Sequence, residues 1–229
     1  MLTVHHLENS RSQRILWLLE ELGADYEVKR YDRDKETSKA PAELRRLHPL
    51  GKAPIVTDGD TTLAESGAII EYLVEHYGAD AGLRPPQGSP EQLNYTYWLH
   101  YAEGTFMPLM IVSLLMNRIE TAKLPFFVKP VARGIVAKIR ENYLDENVRS
   151  NLDFMEQTLS EQPWFTGNAF TAADIQMSFA AEAAEVRTSL STDYPKLADF
   201  LARIRSRPAY IAALEKGGPY ELMGVNRSN

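Results

Sequence analysis

The apolar pattern of this 229-residue chain mixes strand and helix periods up to about residue 78 and is helical alone after residue 91, and that division limits the possible folds more than any other feature. Residues 2–7 alternate as a strand, and Ile15, Leu16, Leu18, Leu19 and Leu22 then recur at helical spacing until Gly23 offers a stop. Residues 26–31 alternate apolar with charged side chains, which predicts a second strand one helix after the first, the start of a right-handed parallel β-α-β unit. Residues 42–47 suit a short helix. Residues 54–57 and 61–64 flank Asp58, Gly59 and Asp60, a hairpin signal that joins two antiparallel strands. Ile69, Ile70, Leu73 and Tyr77 then mark an amphipathic helix ended by Gly78. After residue 91 no run sustains strand alternation, and residues 93–119 and 131–159 carry apolar side chains every three or four positions.

This order predicts an α/β domain with a small mixed sheet over residues 1–79 and an all-α domain over residues 91–229. Between them, residues 80–90 hold Pro85, Pro86, Pro90, Gly82 and Gly88, the composition of a linker with few tertiary obligations. Pro108 is expected to kink its helix or start a new turn, and Pro125 and Pro130 mark the next connection. Thr171 and Asp174 match a capping box and Phe170 and Ile175 a hydrophobic staple, so a helix should begin there. The residues from Gly217 onward read as a loose tail.

Composition narrows the function. Hydrophobic residues at 44% and charged residues at 24% exclude a disordered or fibrous chain. A formal charge of -6 lacks the basic footprint of a nucleic-acid binder. The longest uncharged, mostly apolar run, residues 106–116, is short of the roughly 20 residues that cross a bilayer, so no membrane partner is expected. The amino terminus, MLTVHHLENS, does not read as a secretory leader, which makes the cytoplasm the expected location. The chain has no cysteine, which excludes disulfides, thiolate metal sites and a protein thiol as nucleophile. Any sulfur chemistry must use a ligand's sulfur. His5 and His6, adjacent on a strand, point to opposite faces and cannot share a metal, so none is expected.

Ser10 with Arg14, the segments HPLGKAPIV and LAESGAIIEYL flanking the hairpin, and FTAADIQMSF in the helical half together resemble the cytosolic glutathione transferases of the serine type. The segment YWLHYAEGTFMPLM is similar to a branch of bacterial and fungal members. The resemblance spans nearly the whole chain. It implies a thioredoxin-like β-α-β, β-β-α domain followed by an all-helical one, glutathione as co-substrate without a metal, and transfer of the glutathione sulfur to a small hydrophobic electrophile. Peroxidase activity on organic hydroperoxides can come from the same thiolate. It also implies a two-fold homodimer, the first domain of one subunit against the helical domain of the other.

Residue by residue, the resemblance implies that Ala53, before Pro54, offers its backbone N–H and C=O to the cysteinyl part of glutathione. An X-Pro bond is where the cis form costs least, although a trans proline also starts strands. Ser66 would hold the γ-glutamyl carboxylate at a helix N-terminus, with Glu65 pairing with the ammonium, while a plain N-cap is the alternative for Ser66. Gly67 departs from the arginine often found in the family after this pair. Lys52 would neutralise the glycine carboxylate, Arg14 would hold the domain interface, and His48 would support its loop.

Ser10 matches the hydroxyl that activates the thiol. A free thiol has a pKa near 8.5, and one hydrogen bond to its charged form is worth about 1.5–3 kcal/mol, or about one to two pKa units. A helix N-terminus behind it acts in the same direction. Ser10 and Gln13 also match a capping box, and Ser12, Asn9 and Arg11 are alternative donors to the sulfur. Leu7, Tyr101, Phe106, Met107 and Met110 are candidates for the electrophile's apolar wall, a stripe that equally suits plain core. The rival of another class is a non-catalytic carrier on the same fold. A disulfide exchanger is disfavoured, because no cysteine can form its mixed disulfide.

Overall fold

The computed structural model describes residues 1–79, 81–187, 190–218 and 220–222. Strand β1 (Leu2–Leu7) leads through helix α1 (Ser12–Leu22) to β2 (Glu27–Tyr31), which lies parallel to β1. After the short helix α2 (Leu44–Leu47) come β3 (Ile55–Asp58), β4 (Thr61–Ala64) and α3 (Ser66–Tyr77). The sheet order is β2-β1-β3-β4, with β3 antiparallel to both neighbours and Asp58 opposite Thr61 across the two-residue hairpin loop. The mixed sheet read from the sequence is therefore present.

Helix α1 is enclosed on nearly every side, with residues 12–19 all buried. Ile15, Leu16, Trp17, Leu18 and Leu19 are all fully buried, because α1 packs on β1 and α3 and also against α8 (Ala172–Arg187) and α11 (Pro208–Gly217) of the helical domain. It stops where Gly23 adopts φ 61, a left-handed conformation that glycine reaches without a Cβ clash.

The helical domain comprises α4 (Pro90–Tyr101), α5 (Met107–Thr121), α6 (Lys129–Ile139), α7 (Asp145–Glu161), α8, α9 (Leu190–Asp193), α10 (Pro195–Arg205) and α11. A π-helical turn, Ala102–Phe106, joins α4 to α5 just before Pro108. A second, Arg140–Leu144, joins α6 to α7. The continuous stretch Pro90–Thr121 is long and apolar enough to cross a membrane by length and composition alone, but half of its most apolar window is buried inside the protein. Helix α8 is central: Ala172, Ala173, Ala180, Ala181, Ala183 and Ala184 are fully buried, and their small side chains let neighbouring helices approach closely.

Two readings of the sequence need correction. The linker has a firm tertiary contact, since Leu83 is buried and its carbonyl accepts the Ala172 N–H at 2.9 Å, at the start of α8. The stretch after Gly217 is also anchored where it is described. The Tyr220 hydroxyl donates to Glu182 Oε2 at 2.8 Å, and the Glu221 N–H donates to Asn9 Oδ1 at 2.6 Å. Residues 223–229 of that expected tail lie outside the described residues.

Candidate active site

Strand β1 ends at Leu7, β3 begins at Ile55 and β4 ends at Ala64, and the pairings His5 with Ile55 and Ile55 with Ala64 bring these ends together. Ser10, the Ala53–Pro54 pair and the Glu65–Ser66 pair therefore leave the sheet at one end. The Ala53–Pro54 peptide is cis. Glu65 has φ 72, a conformation costly for a residue with a long side chain, and it turns β4 directly into α3. No side chain caps α3, so its first N–H groups and the positive end of its dipole are left to an anion. Ser66 opens the helix but does not cap it. Its hydroxyl accepts from Arg14 Nη2 at 2.5 Å, which leaves its own proton to donate. Lys52 is exposed beside Ala53, and the His48 carbonyl accepts the Gly51 N–H at 2.9 Å, holding the loop that leads there.

At the β1–α1 corner, Ser10 is 6% exposed, and Ser12 is fully buried. Ser10 Oγ accepts the Ser12 N–H at 3.2 Å, and the Ser10 carbonyl accepts the Gln13 N–H at 3.2 Å. Both polar atoms of the Gln13 side chain are buried without partners, so the reciprocal half of a capping box does not form. The alternative thiol partners are engaged elsewhere. Ser12 Oγ lies 2.7 Å from Ser10 Oγ, 2.9 Å from His6 Nδ1, and 3.2 and 3.3 Å from the Leu7 N and O. Asn9 holds the Glu221 N–H. Arg11 Nε donates to both Glu103 carboxylate oxygens, at 2.9 and 3.0 Å.

The two histidines serve opposite faces of β1. His5 contacts the Tyr31 hydroxyl and Thr57 Oγ1, and burial with the nearby Lys29 charge lowers its pKa. His6 is pushed down to about 4, first by burial and then by the Arg30 charge, against opposing effects of the Gly217 backbone and Glu8.

The domains meet over Arg14. Its side chain is 1% exposed and donates to the Gln176 carbonyl at 2.7 Å, to Ser66 Oγ, and to Glu103 Oε1 at 2.5 Å. Burial lowers the Arg14 pKa, and Glu103 opposes this. Burial would raise the Glu103 pKa, but the Arg14 and Arg11 charges hold it below the usual value. Glu103 was not evident as a site residue in the sequence. Its one signal is a lone acid in an apolar stretch just before Pro108, which the structure explains by placing it in the π-helical turn, where an extra residue per turn is accommodated.

The apolar wall read from the sequence does not form an accessible surface. Leu7 is 2% exposed in a small cluster with Tyr31, Leu44 and Ile55. Tyr101, Phe106, Met107 and Met110 are buried in the main core, and the Tyr101 hydroxyl donates to Asn151 Oδ1 at 2.5 Å. The large apolar side chains that α5 turns outward are Ile111, Leu115 and Ile119, at 44%, 48% and 40% exposure.

Comparison with known proteins agrees with this architecture. Residues 1–75 match the glutathione S-transferase N-terminal domain family and residues 127–216 the C-terminal domain family. Glutathione S-transferase 3 of Schizosaccharomyces pombe is 37% identical, over 94% of this chain and 88% of its own length. The crystal structure of a glutathione S-transferase from Actinobacillus pleuropneumoniae is 35% identical and superposes with a TM-score of 0.81, covering 97% of this chain and 95% of that one. A sphingomonad glutathione S-transferase, solved in complex with glutathione, is 25% identical with a TM-score of 0.71, over 94% of this chain and 98% of that one. By its sequence relatives, its two domains and its fold, this chain belongs to the glutathione S-transferase family.

Proposed function

We propose that this transferase joins the sulfur of glutathione to small hydrophobic electrophiles, with Ser10 as the residue that stabilises the thiolate. The observation that carries the reading is selective engagement. Ser12, Asn9 and Arg11 are committed to His6 and Leu7, to Glu221 and to Glu103, whereas the Ser10 hydroxyl bonds, among the described residues, only to Ser12 at its own helix start. Ser10 donates its proton to the sulfur, the Ala53 backbone pairs with the cysteinyl unit beside Pro54, and Ser66 at the α3 N-terminus takes the γ-glutamyl carboxylate. Glu65 faces the ammonium and Lys52 the glycine carboxylate. Arg14 holds Ser66 and Glu103 together, so the carboxylate pocket is braced by the helical domain.

In conjugation the thiolate forms a carbon–sulfur bond as the electrophile loses its leaving group or, for an addition, gains a proton. In the peroxidase reaction two glutathione molecules reduce one hydroperoxide to an alcohol and water, leaving one glutathione disulfide. Rate enhancement comes from the raised thiolate fraction and from proximity. The biological setting we infer is detoxification in the cytoplasm by a two-fold homodimer.

An activity screen with an aryl halide and an organic hydroperoxide, run on the wild type and Ser10→Ala, tests the reading. A large loss in Ser10→Ala with glutathione affinity retained supports it. Glutathione binding with no turnover on either substrate favours a carrier. A light-scattering mass near 25.9 kDa, the size of one chain, would remove the dimer.

A further inference from the structure

The polar groups behind Ser10 continue away from the site as a chain, Ser10 to Ser12 to His6 and the Leu7 backbone. Ser12 Oγ is 2.7 Å from Ser10 Oγ, 2.9 Å from His6 Nδ1 and 3.3 Å from the Leu7 carbonyl. Such a chain has a direction, because each hydroxyl gives one proton and each acceptor must receive one. Ser12 Oγ has one proton and two lone pairs. The Leu7 carbonyl can only accept, and neutral Nδ1 can accept beside it, so the Ser12 proton goes to that side, one lone pair takes the Leu7 N–H at 3.2 Å and the other receives the Ser10 proton. Burial keeps His6 neutral across the physiological range, with a pKa near 4.

We propose that Ser12 and His6 are positioning residues for the Ser10 hydroxyl: His6 Nδ1 and the Leu7 carbonyl take the Ser12 proton, and Ser12 thereby holds the Ser10 proton turned inward until a thiolate competes for it. This rests on the reading of Ser10 as the thiolate-stabilising hydroxyl. Turning outward costs Ser10 one neutral hydrogen bond and leaves no donor without a partner, since Ser12 still receives the Leu7 N–H. The bond gained is to a charged sulfur and is the stronger one. The inward bond therefore sets a threshold on thiolate formation. Close packing holds the His6 ring against the end of α11: a Cβ at residue 217 would stand 2.5 Å from Gln13 Oε1, 2.9 Å from Leu16 Cδ1 and 3.4 Å from His6 Cε1.

The test is a pH titration of the thiolate absorbance of bound glutathione in the wild type, Ser10→Ala, Ser12→Ala, His6→Asn and the Ser10→Ala, Ser12→Ala double variant. Ser12→Ala removes the inward acceptor but leaves the Ser12 N–H on Ser10. The bound thiol pKa should fall by about half a unit, giving roughly threefold more thiolate below the pKa. His6→Asn, which can present an oxygen in place of Nδ1, should keep the wild-type value, and the double variant should match Ser10→Ala alone. A bound thiol pKa in Ser12→Ala that is unchanged, or raised toward the Ser10→Ala value, overturns the proposal, the latter because Ser12 would then only brace Ser10. If Ser10→Ala itself leaves the thiol pKa unmoved, the underlying assignment of Ser10 falls instead.

Discussion

Two helix starts in this protein carry the same sequence signal and use it differently. Before α8, Asp174 makes the reciprocal half of a capping box with Thr171. Asp174 accepts the Phe165 N–H at 2.9 Å, the Thr171 N–H at 2.8 Å and the Thr171 hydroxyl at 3.1 Å, all in the core. Before α1, Ser10 and Gln13 have matching spacing, but the Gln13 side chain is left without partners and Ser10 turns to Ser12. At the first corner every polar atom of the motif serves the fold. At the second the Gln13 half is missing, and the Ser10 hydroxyl, which accepts the Ser12 N–H, lies where a ligand's sulfur is expected. A pattern of residue types thus gives a helix start in both places and, in the function proposed above, a thiolate donor in only one.

Substitutions can separate the two. The largest effect is expected at α8, where Asp174→Ala strands two buried N–H donors and a hydroxyl and should lower the unfolding free energy by about 3 kcal/mol or more, measured by urea titration. A loss near that of a surface substitution would mean that the box is dispensable. Ser10→Ala should show the reverse profile, with turnover down about 10- to 100-fold near neutral pH and stability changed by only about 1 kcal/mol or less. Kinetics and the same urea titration, run on one preparation, compare the two directly.

The corners should also titrate in opposite senses. Burial outweighs the hydrogen bonds at Asp174 and raises its pKa to about 6, so the folded state holds that proton more tightly than the unfolded chain. Its contribution favours folding at low pH and is lost as pH rises from about 3.8 to about 6. His6 is pushed down to about 4, so the unfolded chain binds its proton first, and stability is lost as pH falls from about 6.5 to about 4. The two windows overlap and offset each other in the wild type. Relative to the wild type, Asp174→Asn should lose stability on acidification across that window and His6→Asn should gain it, each by about 1–3 kcal/mol, as followed by unfolding at several pH values. Equal slopes in all three proteins would contradict the assignment. The smallest effect is expected from Gln13→Leu. Replacing a buried amide without partners by a similar apolar side chain should be neutral or stabilising by about 1 kcal/mol at most. A clear destabilisation would show that Gln13 has a partner after all.

What the sequence revealed, and what it hid, follows from the range of each interaction. The strand and helix order, the Gly59 hairpin and the Gly23 stop depend on neighbouring residues, and they were legible. So was the grouping of Ser10, Ala53, Pro54, Glu65 and Ser66, but through family resemblance and not through spacing. The Arg14 link to Glu103 and Ser66 joins residues far apart in the chain, and no local pattern announces it. The stripe of Tyr101, Phe106, Met107 and Met110 misled because core and ligand wall have the same periodicity, and these four side chains are core. The anchoring of Tyr220 and Glu221 was hidden for the same reason as Glu103: their partners, Glu182 and Asn9, are distant in sequence.

The central claim is that the Ser10 hydroxyl, left free of a full capping box, holds the glutathione thiolate. The most direct measurement is the pKa of the thiol of bound glutathione, followed by ultraviolet absorbance, in the wild type and in Ser10→Ala. A wild-type value well below that of the free thiol, rising by about one to two units in Ser10→Ala with binding retained, is the expected result. Identical values in the two proteins would contradict it and leave the thiolate to be held by another group.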